Sequence, residues 1–250
     1  MRLIGAEVLK LRKRRGLMIW SSLLTIGSVL ITAVVLVILH AVYPDHHGPA
    51  GGRSNLEAYA FLLAQLGTVT AILIGSAAGT QDVSNGVFRD LVVTGRKRST
   101  LFNVRVPGAL IVFGSMLGVA MALVFAVVFA FAGDAVTPNA SYVGHTIAYV
   151  LSFTIINLIL AVGLAAFTSS RVVVGVLIAW NSIVAHLLLN IKAFGGVRKL
   201  LDVGAAEHFS PAINNNNLVA TTGLTAALVL IGWAVVALLA GTWQTNRRDA

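Results

Sequence analysis

Six long apolar stretches, at 16–43, 58–81, 106–133, 135–170, 172–191 and 221–246, dominate this chain of 250 residues. A helix needs roughly 20 predominantly apolar residues to cross the hydrocarbon core of a bilayer, and each stretch is long enough. A water-soluble domain of this size has no interior in which to hide so many. The chain is therefore expected to be an all-α polytopic membrane protein with six transmembrane helices in one transmembrane domain. The spans are predicted near 17–39, 58–79, 107–132, 146–168, 172–190 and 221–241. Only Ser169, Ser170 and Arg171 separate the fourth from the fifth. One helix through both is too long for a bilayer, so two antiparallel spans joined by a tight turn are expected.

Composition agrees. Hydrophobic residues make up 57% and charged residues 11%, against about 25% charged in an ordinary soluble domain. No segment left over is long enough for a separate soluble catalytic domain. With no cysteine, disulfides and thiol catalysis are excluded. The basic stretch before the first span superficially resembles the start of a signal peptide. Its apolar run exceeds the usual length of about 7–15 residues and no small-residue cleavage site follows, so a retained first helix is expected.

The net charge of +9 does not point to nucleic acid, because the basic residues cluster beside the spans. Six spans put both termini on one side. That side carries fourteen Lys and Arg: six at the N-terminus, five in the loop after span 2, Arg171, Arg247 and Arg248. The other side carries four, Arg53, Lys192, Arg198 and Lys199. Positive loops stay inside, so both termini are expected in the cytoplasm of a bacterial or archaeal cell membrane. In segment 1–15, Leu3, Ile4, Val8 and Leu11 share one helical side and the charges take the rest. This predicts a helix lying on the inner membrane surface, with its cations among anionic lipid headgroups.

The loop TQDVSNGVFRDLVVTGRKRSTLFNVR, residues 80–105, is the most informative polar segment. Val83, Val87 and Leu91 recur every four residues, and Phe88 and Val92 extend that face. Asp82 or Ser84 suits the start of a helix and Gly95 its stop. A short amphipathic helix over 81–95 is predicted, with an apolar face that must bury against a partner or the membrane surface.

Together with the N-terminal RLIGAEVLKLRKRRG and the six spans, this loop resembles the membrane subunit of the ABC transporter type-2 permease family. Family members carry an acidic residue, a glycine, a basic–Leu segment and a basic or Ser/Arg element in this loop. Those features map to Gln81 or Asp82, Gly86, residues 89–91 and residues 96–99. The resemblance implies that 81–95 is a coupling helix touching a separate ATP-hydrolysing subunit. It makes Asp82, Gly86, Phe88, Arg89 and Leu91 the candidate docking residues. It also implies a second permease copy or a related chain, and export of a lipid-like, peptide or drug-like substrate. The chain lacks a G-x-x-x-x-G-K-[ST] phosphate loop, so ATP and Mg are expected on the partner and no cofactor on this chain.

Between spans 5 and 6, residues 192–220 are expected outside the membrane. Phe194, Val197, Leu200, Leu201 and Val203 give a partly amphipathic piece, and Asn214, Asn215, Asn216 and Asn217 read as a solvated turn. The resemblance implies short re-entrant or surface helices here, suited to an outer gate or lid. Within the spans, Gln65, Asn157, Asn181 and His186 are polar and must face other helices, a cavity or the headgroups. They are the candidates for a substrate path or for interhelical hydrogen bonds, with Asn157 and Asn181 able to pair and His186 near enough to the outer end to reach water. Gly75 with Gly79 and Gly114 with Gly118 have the small-xxx-small spacing that permits close helix contact. Trp20 and Trp243 suit interface anchors.

No H-E-x-x-H, no G-x-S-x-G and no acid pair within a span appears, so a permease subunit rather than an enzyme is expected. The alternative is a non-transporting membrane protein of immunity, assembly or regulatory type that uses the same loop to recruit a partner.

Overall fold

The computed structural model describes residues 2–84, 86, 93, 95, 97–211 and 221–247. Among them the architecture is all-α, and six helices are long and apolar enough to cross a membrane. The elements are α1 (Arg2–Lys13), α2 (Arg15–Val42), α3 (Arg53–Ser84), α4 (Arg98–Asn103), α5 (Arg105–Ala130), α6 (Ala140–Leu164), α7 (Ser170–Asn190), a 3₁₀ segment (Lys192–Leu200), α8 (Asp202–Glu207) and α9 (Gly223–Arg247). The chain is a six-span membrane protein whose spans are α2, α3, α5, α6, α7 and α9.

Local chemistry explains the boundaries. Pro107 sits in the first turn of α5, where its missing N–H removes a donor that has no partner in any case. Asn139 caps α6, its side-chain oxygen accepting from the Tyr142 N–H at 2.9 Å. α2 and α7 each contain a π-helical turn, at Leu23–Gly27 and Trp180–Val184, a feature frequent where a helix is locally re-aimed.

Small residues decide the centre, where α3 and α6 pack against each other. A Cβ on Gly75 would stand 2.6 Å from the Leu158 carbonyl oxygen, and one on Gly79 would overlap the Ala165 methyl. These two positions therefore need glycine to let the backbones meet. Gly114 and Gly118 behave differently from expectation, since a Cβ added to either would meet nothing from another helix within 4 Å. They line an open apolar groove of 340 Å³ beside Phe113, Met121 and Ile147. Their missing side chains leave space instead of creating contact.

The most apolar windows of α3 and α6 are 67% and 61% buried in the chain, against 17% for α2 and 6% for α9. The outer helices expose Ile31, Val34, Ile38, Leu228, Ile231 and Leu239. So much contiguous apolar surface is untenable in water and ordinary in hydrocarbon.

The spans alternate in direction. On the terminal face, α1, the end of α3, the start of α5 and the end of α9 meet. Arg98 donates to the Asn246 carbonyl at 3.3 Å, and Phe102 fills the notch at Gly241. On the far face, the Gly51 and Gly52 N–H groups donate to the Phe131 and Val128 carbonyls at 2.9 and 3.0 Å. There the Arg53 guanidinium lies 4.3 Å from the centre of the Tyr142 ring, and the Tyr142 hydroxyl donates to Glu57.

Candidate functional site

Three polar assemblies interrupt the apolar bundle. The first is on the terminal face. α3 runs on without a break to Ser84, so Asp82 is in its last turn and does not open a separate helix as its capping chemistry suggested. Asp82 is 3% exposed. Its Oδ1 accepts from Lys10 Nζ at 2.7 Å and its Oδ2 from Arg105 Nη2 at 3.2 Å. Arg105, itself buried, also donates through Nη1 to the Gly79 carbonyl at 2.8 Å. Lys10 Nζ lies 2.5 Å from Glu7 Oε1. Burial pushes the Glu7 carboxyl above the usual carboxylate range, against the pull of Lys10.

Two carboxylates and two cations from α1, α3 and α5 thus form one joint. α1 is seated on α5 so closely that a Cβ at Gly108 would stand 2.5 Å from Glu7 Cβ. Leu11 is fully buried, while Arg12, Lys13, Arg14 and Arg15 are exposed. The expected surface helix is thus docked into the bundle along one side. Glu7, Lys10 and Arg105 were not singled out from sequence. The signal available was an acid closing one apolar run and a cation opening the next.

Of the predicted docking residues, Asp82 faces inward to this joint. Gly86 follows it, exposed and at φ 71°, a left-handed conformation that suits glycine just past a helix end. Phe88, Arg89 and Leu91 lie outside the described residues, as do residues 214–217.

The second assembly is in mid-bundle. Asn157 Nδ2 donates to Asn181 Oδ1 at 3.1 Å, and Asn181 Nδ2 returns a bond to Asn157 Oδ1 at 2.7 Å. Each amide also donates to the carbonyl one turn earlier in its own helix, Phe153 at 2.9 Å and Leu177 at 2.8 Å. Both side chains are buried. The pair satisfies itself and ties α6 to α7. Gln65 is half-buried on α3 and joins neither this pair nor another polar group among the described residues.

The third assembly is the far-face segment. It is neither a plain loop nor a surface helix. The 3₁₀ stretch and α8 turn back into the bundle against α6, α7 and α9. Trp180, at the midpoint of α7, donates through Nε1 to Asp202 Oδ1 at 2.9 Å. Trp233, about 15 Å along α9 from its start at a rise of 1.5 Å per residue, donates to the Leu200 carbonyl at 2.8 Å. The two indoles pack with ring centres 6.3 Å apart. The segment therefore dips below the outer ends of both spans.

His186 Nε2 lies 3.3 Å from Glu207 Oε1, and its side chain is 36% exposed, so it meets the returning segment while remaining partly open. Burial pushes the carboxyls of Asp202 and Glu207 up. Asp202 and Glu207 were also missed from sequence. Their signal was an acid flanked by Leu200, Leu201 and Val203 and followed by the small run Gly204, Ala205 and Ala206.

An apolar groove of 310 Å³ opens below the indoles. It is lined by Leu160, Phe167, Val176, Trp180, Trp233 and Ala240. No group of three or more His, Cys, Asp or Glu among the described residues is placed to hold a metal ion. Comparison with protein-family models returns no match for this chain, and neither does comparison with curated proteins.

Proposed function

We propose that this chain is the membrane-spanning subunit of an ATP-driven transporter of the ABC type-2 permease kind. It exports a lipid-like, peptide or drug-like substrate. In this reading the terminal face is cytoplasmic, where the fourteen Lys and Arg lie. Separate ATP-binding-cassette subunits, carrying the ATP and Mg, dock on the loop that follows Asp82. A second copy or a related permease chain completes the pathway within the lipid bilayer.

The observation that carries the reading is the joint of Glu7, Lys10, Asp82 and Arg105. Asp82 is in the last turn of α3, next to that loop in the chain. A push on the loop is passed to α1 and α5 through charge-assisted bonds, which are stronger and more directional than neutral ones. A simple anchor has no need to tie the N-terminal helix, the end of span 2 and the start of span 3 together. The open grooves are apolar and face hydrocarbon, which suits cargo with an apolar body over an ion.

One observation favours the alternative, a non-transporting membrane protein of immunity, assembly or regulatory type. The polar pair at mid-bundle is satisfied by its own helices, leaving no vacant donor there for cargo.

Co-purification with an ATP-binding-cassette protein encoded beside it separates the two readings, followed by substrate-stimulated ATP hydrolysis in proteoliposomes. Leu91→Asp is expected to weaken that complex by roughly tenfold or more, the scale of a lost interfacial anchor, while leaving membrane insertion intact. Undiminished binding by the variant removes the docking role from this loop.

A further inference from the structure

Asp202 differs from every other buried acid among the described residues. Asp82 meets a lysine and an arginine, and Glu7 meets Lys10, while the half-buried Glu207 meets His186. Asp202 is 1% exposed and meets an indole N–H on one oxygen. Its Oδ2 has no hydrogen-bond partner among the described residues. An anion so placed gives up its hydration for neutral donors only. Such a group takes a proton instead.

Its position gives that proton a structural consequence. Asp202 opens α8, the part of the far-face segment that turns back into the bundle. The seat of α8 is made by Val203 and Ala206, buried against the core that includes Tyr149 and Leu189. A Cβ at Gly204 would stand 2.7 Å from Leu189, so the fit is close. Among the described residues, polar bonds that pin the segment include Trp180 to Asp202, Trp233 to Leu200, Arg198 to Leu189, and the pair of His186 with Glu207.

We propose that Asp202 is a proton-binding site that latches this re-entrant segment: it is neutral while α8 is docked against α6, α7 and α9, and its ionisation releases the segment toward the far-face solution.

The surrounding charges do not supply another compensation. From α7 come Trp180 and His186. From α6 come Tyr149, beside Glu207, and His145, exposed and bonded to the Ser141 carbonyl. From the 3₁₀ stretch come Lys192 and Lys199, exposed, and Arg198, whose guanidinium donates to the Leu189 and Gly195 carbonyls. α9 presents no Asp, Glu, His, Lys or Arg before Arg247 at its opposite end. On the segment itself, His208 lies beside Thr221.

Docking raises the Asp202 carboxyl above its ordinary value of 3.8, burial outweighing the bonds from Trp180 and from the Val203 N–H. The docked state thus holds the proton more tightly than the released state. Its advantage is complete at low pH and drains away as pH rises through the docked value. Glu207 acts in the same direction, because burial raises its carboxyl as well. The latch closes in acid and opens in alkali, and it stands whether or not the chain is a transporter.

The native chain has no cysteine, so single cysteines report access directly. Ala206→Cys, at a fully buried position on α8, is labelled with a water-soluble maleimide in nanodiscs from about pH 4.5 to about pH 8.5. The rate is divided by that of the exposed Thr137→Cys to remove thiol ionisation. Ala161→Cys in the α3–α6 contact, expected to stay unlabelled, monitors global unfolding.

The ratio is expected to rise about tenfold across the range, as the docked state loses its proton-linked advantage. In Asp202→Asn, which keeps an acceptor for Trp180 and cannot ionise, most of the rise is lost and only the part carried by Glu207 is left. Glu207→Gln reduces the rise without abolishing it. A flat ratio with Asp202 intact, or an undiminished rise in Asp202→Asn, overturns the proposal. Hydrogen exchange of the 202–207 amides in the unmodified chain, corrected for intrinsic rates, follows the same opening without any cysteine. Protection that does not fall with pH counts against the latch.

Discussion

The two faces of this protein bury carboxylates in opposite ways. On the terminal face, Asp82 is held by Lys10 and Arg105 and neighbours the Glu7–Lys10 pair. On the far face, among the described residues, Asp202 is held by the Trp180 indole with no cation, and the nearby Glu207 pairs with a histidine. The Asp82 arrangement stores its charge inside a joint of three helices. The Asp202 arrangement makes the buried state conditional on a proton. A compensated acid serves as a permanent joint, because breaking it strands an unpaired ion. An uncompensated acid serves as a reversible one, because the proton supplies what the fold does not.

The largest expected effect comes from breaking the compensated side. Arg105→Met strands Asp82 and should cost about 3–5 kcal/mol, the scale for removing one partner of a buried ion pair. The check is a chemical or thermal unfolding midpoint in detergent, with loss of the docked α1 read by proteolysis of residues 2–13. A change under about 1 kcal/mol would mean that the joint is not holding the helices together.

Next in size is a contrast between two chemically identical changes. Asp82→Asn should destabilise at neutral pH by about 2–4 kcal/mol, because it leaves Lys10 and Arg105 without their anion. Asp202→Asn should leave stability unchanged or improved at neutral pH, because the docked state already favours the neutral acid. Equal losses in both, measured by the same unfolding curves, erase the distinction between the faces.

The smallest effect belongs to the neutral pair between them. A double-mutant cycle of Asn157→Ala and Asn181→Ala should give a coupling energy of about 0.6 kcal/mol, and at most about 1.7. A coupling much larger than this would make the amides, and not the charged joint, the main polar tie in the bundle.

Much of the bundle was legible in the chain. The length and polarity of the apolar runs located all six spans, because lipid leaves a chain no option but to bond its backbone within the helix. The tight turn before α7 followed from the same constraint. Asn157 and Asn181 were legible as possible partners, since an amide in hydrocarbon must find one. The polar joints were not. Asp82 looked like a helix cap because its neighbours have capping chemistry. Nothing local shows that α3 continues past it, or that Arg105 and Lys10 converge on its carboxylate. The small-residue pairs divided for a similar reason. Gly75 and Gly79 face the backbone of α6, while Gly114 and Gly118 face a groove, and spacing alone does not say which.

The sequence by itself determined that this is a six-span helical membrane protein, since hydrophobic length is read along the chain and needs no partner. Only the tertiary structure decided which acids are buried with cations and which are not. That distinction depends on distances between residues far apart in sequence, such as the 2.7 Å from Lys10 to Asp82 and the 2.9 Å from Trp180 to Asp202. Hydropathy is a sum over neighbours along one helix, whereas charge compensation is settled by which helices meet.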